Sequence, residues 1–194
     1  MLPLWIKIAY TCFTLITIVV YAVKYPLGNF LWFSDIALVL TLPALWFESS
    51  MLASMMTVGV LLPEMFWNVG FLGRLVSGKR LSGLTDYMFD VRLPLYLRAL
   101  SLFHVFLPIL LLWMVVRLGY APRALIAQTV LAWIVLPLTY CVTDPAMNVN
   151  GVFGGENGRG RRMPALVRLG LMMAGIPALV YLPTHMLLCA LFCP

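Results

Sequence analysis

Residues 94–116 read PLYLRALSLFHVFLPILLLWMVV, an apolar run in which Arg98 near the start and His104 in the interior are the only basic side chains and no acid occurs. At about 1.5 Å of rise per residue, a helix of this length reaches roughly 35 Å, enough to cross a hydrocarbon layer about 30 Å thick. Its apolar residues fall on every face, so lipid suits it better than a half-wetted protein surface.

The same pattern recurs along the chain. Spans are expected over about Leu4 to Val23, Asn29 to Phe47, Ser50 to Leu72, Pro94 to Val116, Ala124 to Val142 and Pro164 to Phe192, the last broken at Pro177 or Pro183. With 63% hydrophobic residues, 10% charged and a mean hydropathy of +0.99, the 194-residue chain lacks the polar surface of a water-soluble domain. The fold class is therefore all-α: one polytopic transmembrane helical bundle of about six spans over residues 1–194, kinked at in-span prolines such as Pro43, Pro63, Pro108, Pro137 and Pro177. The first span is too long for a signal-peptide core and has no small-residue cleavage site, so it reads as an anchor.

Charge sets the expected orientation. Ten of the thirteen Lys and Arg residues (Lys24, Arg74, Lys79, Arg80, Arg92, Arg98, Arg159, Arg161, Arg162 and Arg168) fall at one end of the spans. Lys7, Arg117 and Arg123 fall at the other. The positive-inside rule then places both termini away from the cytoplasm, as expected for a bacterial inner-membrane protein. The net charge of +6 is assigned to topology and lipid headgroups, and nucleic acid is not an expected partner. Cys12, Cys141, Cys189 and Cys193 have no metal-ligand or redox spacing, and no cofactor is called for. Between the spans, residues 76–93 mix basic, acidic and apolar side chains, as an interfacial helix would, and GGENGRGRR at 154–162 reads as a flexible stretch.

Ionisable groups cost about 2.5–3.5 kcal/mol each inside a bilayer, so the few present are the places to look for function. They are Asp35, Glu64, His104 and His185, with Gln128, Asn148 and Asn150 as neutral companions. Helix directions bring Ser34, Asp35, Glu64, Trp67, Asn68, His104, Asp144, Asn148 and Asn150 to one depth near the arginine-rich end and leave His185 near the opposite end. One reading is structural: a polar layer that hydrogen-bonds across the bundle and sets helix register. A metal site from His104, Asp35 and Glu64 lacks any ligand spacing. The catalytic reading takes Ser34 as nucleophile and His104 as its base, because a hydroxyl needs a neutral imidazole within reach to attack. Glu64 or Asp35 would orient the imidazole, although Asp35 is adjacent to Ser34 and points about 100° away on a helix. Asn148 and Asn150 would support an oxyanion.

Four motifs occur in order: N-F-L-W-F-S-D at 29–35, L-S-L-F-H-V-F-L-P at 100–108, L-G-Y-A-P-R-A at 118–124 and N-V-N-G-V-F-G at 148–154. This layout resembles the six-span androgen-induced family of intramembrane lipid hydrolases and the YwaF-type acyltransferase membrane proteins. The resemblance implies an acyl-transfer activity on membrane lipids, with the family histidine at His104 and the hydroxyl nucleophile at Ser34, where the family carries threonine. The competing expectation is a non-catalytic integral subunit or scaffold bound to other membrane subunits.

Overall fold

The structure is a computed structural model that describes residues 1–154 and 163–192. It is helical, and no strand occurs among the described residues. The helices are α1 (Leu4–Lys24), α2 (Phe33–Trp46), α3 (Ser50–Ser77), α4 (Leu95–Leu100), α5 (Phe103–Leu118), α6 (Ala124–Val142), α7 (Ala165–Ile176) and α8 (Leu182–Phe192). Short 3-10 turns occupy Leu27–Leu31, Gly83–Phe89 and Val149–Gly151, and a π-helical turn over Pro177–Tyr181 joins α7 to α8. Five stretches are long and apolar enough to cross a membrane: α1, α3, α4 with α5, α6, and α7 through α8. The stretch of GGENGRGRR from Glu156 to Arg162, Gly155 and Cys193 lie outside the described residues.

Local chemistry explains the ends of these helices. Tyr25 is extended (φ −123°, ψ 154°) because Pro26 disfavours a helical residue before it, and α1 stops at Lys24. The long central helix α3 is capped at both ends. The Ser49 hydroxyl accepts from the Leu52 amide at 3.2 Å, and Gly78, at φ 70°, takes the left-handed position that closes the last turn. Packing centres on α3, which touches α2, α5, α6 and α8. Where α3 meets α6, a Cβ on Gly59 would collide with the Gln128 side chain, so the two helices approach closely there.

The exterior is apolar, unlike that of a water-soluble protein. Large apolar side chains such as Trp5, Ile16, Val19, Ile126, Leu166 and Leu179 stand exposed on the outer faces of α1, α6, α7 and the π turn. The interior holds Thr14, Thr17, Asp35, Thr41, Thr57, Glu64, Gln128 and Thr139. Several of the threonines donate to the carbonyl four residues earlier, as Thr41 does to Ala37 at 2.7 Å and Thr57 to Ala53 at 2.7 Å. This is the arrangement of a multi-pass membrane protein, with lipid as the outer solvent and hydrogen bonds kept inside.

Several boundaries differ from those expected. The second apolar segment is helical only over 14 residues, because 27–31 wind as a 3-10 turn and Trp32 is extended. The fourth splits at Ser101–Leu102 into α4 and α5. Residues 76–93 do not form a continuous helix: α3 runs on to Ser77, and only Gly83–Phe89 winds again, as a 3-10 turn packed against α3. Arg74 on α3 holds Asp86 in that turn at 2.6 Å. A second arginine, Arg80, pairs with the same carboxylate.

At the opposite end, Glu48 occupies the turn between α2 and α3 at φ 49° and accepts from Lys7 Nζ and from the Leu2 amide, both at 2.9 Å. These bonds, the Lys7 bond foremost, hold the Glu48 carboxyl below the ordinary glutamate range. A depressed carboxyl contributes stability that is fully present above the unfolded value and lost as pH falls through the folded one. Glu48→Gln removes this contribution, so thermal unfolding of the variant in detergent should shift less between about pH 6 and pH 3 than that of the wild type. Equal shifts would mean that the turn is not held by this charge.

Candidate functional site

The centre of the bundle is built around a proline. Pro108 in α5 has no amide hydrogen, so the carbonyl four residues earlier, that of His104, loses its helical donor. In lipid such a carbonyl must be paired from elsewhere. Asn68 on α3 supplies the bond: its Nδ2 donates to the His104 carbonyl at 2.7 Å and to the Glu64 carbonyl at 2.8 Å. One amide thus ties the backbone of α5 to that of α3 at the level where both carry an ionisable side chain.

Those side chains meet. Glu64 Oε2 lies 2.7 Å from His104 Nδ1, with the glutamate side chain 3% exposed and the histidine 14%. Trp67 and Phe103 stack on the imidazole, at centroid distances of 4.7 and 4.1 Å and interplanar angles of 25° and 28°. The ring therefore has little freedom to turn. If Glu64 is ionised it can only accept, and the contact then calls for a proton on Nδ1 and leaves Nε2 as the ring atom turned away from Glu64. Nε2 has no hydrogen-bond partner among the described residues.

His104 and Glu64 line a cavity of about 560 Å³, a volume in the range of small-molecule sites. Ser34, Asp35 and Asn150 line it as well, as do Tyr21, Tyr25, Asn29 and Ser101. Asp35 accepts from Asn29 Nδ2 at 3.2 Å. Ser101 lies at the break between α4 and α5, 3.2 Å from the Tyr21 hydroxyl, and its own hydroxyl reaches the Leu97 carbonyl at 3.3 Å. The 3-10 turn at 83–89 contributes Leu84 and Tyr87 to the wall, and burial pushes the Tyr87 phenol above its ordinary value. No hydrogen bond joins Ser34 to His104; the two share the cavity without touching.

The two asparagines proposed from the sequence as oxyanion donors are occupied otherwise. Asn148, in the left-handed region at φ 43°, donates to the Gly154 carbonyl and accepts from the Phe153 amide at 2.9 Å, and it does not line the cavity. A side chain turned into its own loop cannot hold an oxyanion in the cavity, and Asn148 is no part of the site. Asn150 does reach the wall, but it accepts from the Phe33 amide at 3.1 Å and donates to the Leu31 carbonyl at 2.7 Å. Its amide pins the loop after α6 to the start of α2, which places Ser34 and Asp35. Asp144 likewise accepts locally, from the Ala146 amide at 2.8 Å.

Two residues expected at this depth but given no role there matter to the site. Asn68 stands one turn beyond Glu64 on α3, and Trp67 covers the imidazole; the spacing of Glu64 and Asn68 and the proline four residues after His104 are the signals that single them out. His185 lies apart from the cavity, with its Nδ1 2.6 Å from the Tyr120 hydroxyl. No group of three His, Cys, Asp or Glu close enough to hold a metal occurs among the described residues.

The paired roles of Pro108 and Asn68 can be separated by a double-mutant cycle. Asn68→Leu leaves the His104 carbonyl buried and unpaired and should cost about 1–3 kcal/mol of stability. Pro108→Ala restores an amide hydrogen four residues after His104, so adding it to Asn68→Leu should recover part of the loss. Strictly additive effects of the two changes on the unfolding midpoint would disprove the tether.

No family model matches the chain, and neither the curated proteins nor the solved structures contain a match.

Proposed function

We propose that the chain is a six-span protein of a bacterial inner membrane that cleaves or transfers the acyl group of a lipid ester, with Glu64 and His104 as its acid–base machinery. The observation that carries this reading is the 2.7 Å Glu64–His104 contact, buried under aromatic rings in a cavity that Ser34 also lines. The 14-residue helix α2, preceded by the 3-10 turn at 27–31, counts as the sixth span. The arginine-rich end faces the cytoplasm, which sets both termini on the far side. The order of motifs from Asn29 to Gly154, similar to that of the androgen-induced lipid hydrolases and YwaF-type acyltransferases, supports the same chemistry.

In this mechanism Glu64 holds the Nδ1 proton and presents Nε2 as the base. Ser34 Oγ adds to the ester carbonyl carbon while its proton passes to Nε2. The tetrahedral intermediate collapses, the bond to the alkoxy oxygen breaks, and the alcohol leaves with the proton from Nε2. Water repeats the sequence on the acyl-serine, releasing the fatty acid and restoring Ser34; an acceptor alcohol in place of water makes the reaction a transfer. Ser34 and His104 are not in contact without substrate, and such bonds commonly tighten only in the complex. Asp35, adjacent to Ser34, helps to position the substrate instead of orienting the imidazole, because Glu64 already occupies Nδ1.

The test is turnover of a fluorogenic long-chain acyl ester by the purified chain in mild detergent. His104→Ala and Ser34→Ala should each lower the rate by about 10²–10⁴-fold, and Glu64→Gln should lower it less, with helical content and unfolding midpoint retained. Loss with His104→Ala but not with Ser34→Ala would make water the nucleophile. A folded wild-type protein without turnover, recovered together with other membrane subunits, would favour the non-catalytic subunit.

A further inference from the structure

The cavity differs in charge from the chain that encloses it. The protein has thirteen Lys and Arg residues against seven Asp and Glu, yet among the described residues no Lys or Arg lines the cavity, whereas Asp35 and Glu64 both do. Arg74 pairs with Asp86, while Arg98 and Arg168 donate to the Met88 and Phe153 carbonyls. Glu64 has His104 as its partner. Asp35 does not have an equivalent. It is 6% exposed, its Oδ2 receives one bond, from Asn29 at 3.2 Å, and its Oδ1 receives none among the described residues.

A carboxylate offers about four acceptor sites, and one neutral amide at that distance leaves it far from satisfied. As an anion a buried carboxyl group needs a positive partner, and a ligand in the cavity that Asp35 lines can supply one. The rings around it are suited to the same partner. Tyr21, Tyr25, Trp32 and Tyr87 all line the cavity, and aromatic faces attract cations, quaternary ammonium groups above all. The wall also carries apolar side chains, among them Val60, Ile176 and Val180. An anionic head would meet two acidic side chains and, among the described residues, no Lys or Arg.

We propose that the cavity binds an amphiphile by a positively charged ammonium head, seated between Asp35 and the surrounding aromatic rings, with its hydrocarbon chain along the apolar wall. This names the headgroup class of the substrate and rests on the cavity being the substrate site, as the acyl-transfer reading holds. The same ammonium chemistry is found on a choline or ethanolamine lipid headgroup and on a free long-chain amine.

The full chain, purified in a bulky nonionic detergent, is titrated with dodecyltrimethylammonium or with dodecanoate, and binding is followed by tryptophan fluorescence and by the rise in unfolding temperature. The cation should bind saturably and at least about tenfold more tightly than the anion of the same chain length, and Asp35→Asn should weaken it by about tenfold. Should Asp35→Asn fail to fold, the cation-to-anion ratio on the wild-type protein decides by itself. Displacement of the bound cation by dilauroyl phosphatidylcholine assigns the ammonium to a lipid headgroup, and displacement by dodecylamine alone assigns it to a free amine; both support the inference. Displacement by neither, or equal binding of dodecanoate, overturns it. Ester turnover without cation preference would overturn this inference and leave the acyl-transfer reading standing, whereas cation-selective binding without turnover would overturn the acyl-transfer reading alone.

Discussion

In a lipid environment a backbone carbonyl that loses its helical donor has no water to turn to, and this protein answers that constraint with side chains from neighbouring helices. Pro108 frees the His104 carbonyl, and Asn68 takes it. Pro177 frees the Met173 carbonyl in the same way, and the Trp133 indole donates to it at 2.8 Å. Each bond crosses between helices at a place where an ordinary helix would need none. The first of them ties α3 to α5 at the level of Glu64 and His104, so the meeting of these two side chains depends in part on a missing amide hydrogen.

The cavity beside that pair arises from a second set of irregularities. The 3-10 turn before α2 and the loop after α6 are joined through Asn150, which fixes the first turn of α2 and with it Ser34 and Asp35. The break at Ser101 and the 3-10 turn at 83–89 add Ser101, Leu84 and Tyr87 to the wall. Regular helices supply the lipid-facing surface, and the interruptions supply many of the polar groups. That division is expected where non-helical backbone is tolerated only if it is buried in protein or borders a cavity.

Much of the bundle is legible in the sequence because apolar length is a strong signal: α1, α3 and α6 begin close to the expected positions. The shortened α2 is less legible, since Phe30, Leu31 and Trp32 are as apolar as the helix they precede and only tertiary contact with Asn150 shows why they leave it. Among the site residues, the common depth of Ser34, Asp35, Glu64 and His104 could be reckoned from helix direction and rise. Their azimuth could not, because it depends on how each helix rotates against its neighbours. Asn148 illustrates the limit: its depth suits the site, but its positive φ turns the side chain back into the loop. Asn68 illustrates the converse, a residue whose importance depends on a carbonyl freed in another helix.

The π turn at Pro177–Tyr181 joins these themes. It widens one turn of an otherwise α-helical rod and presents Val180 and Tyr181 to the cavity, while Tyr181 also accepts from Gln128 Nε2 at 3.3 Å. Each residue of an α-helix advances the azimuth by about 100°, so the winding chosen here determines which stripe of Leu182–Phe192 faces the bundle and which faces lipid. Removing one residue from this turn would therefore rotate the whole C-terminal rod like a key in its lock, exchanging buried Thr184 and Leu188 for the greasy positions now turned outward.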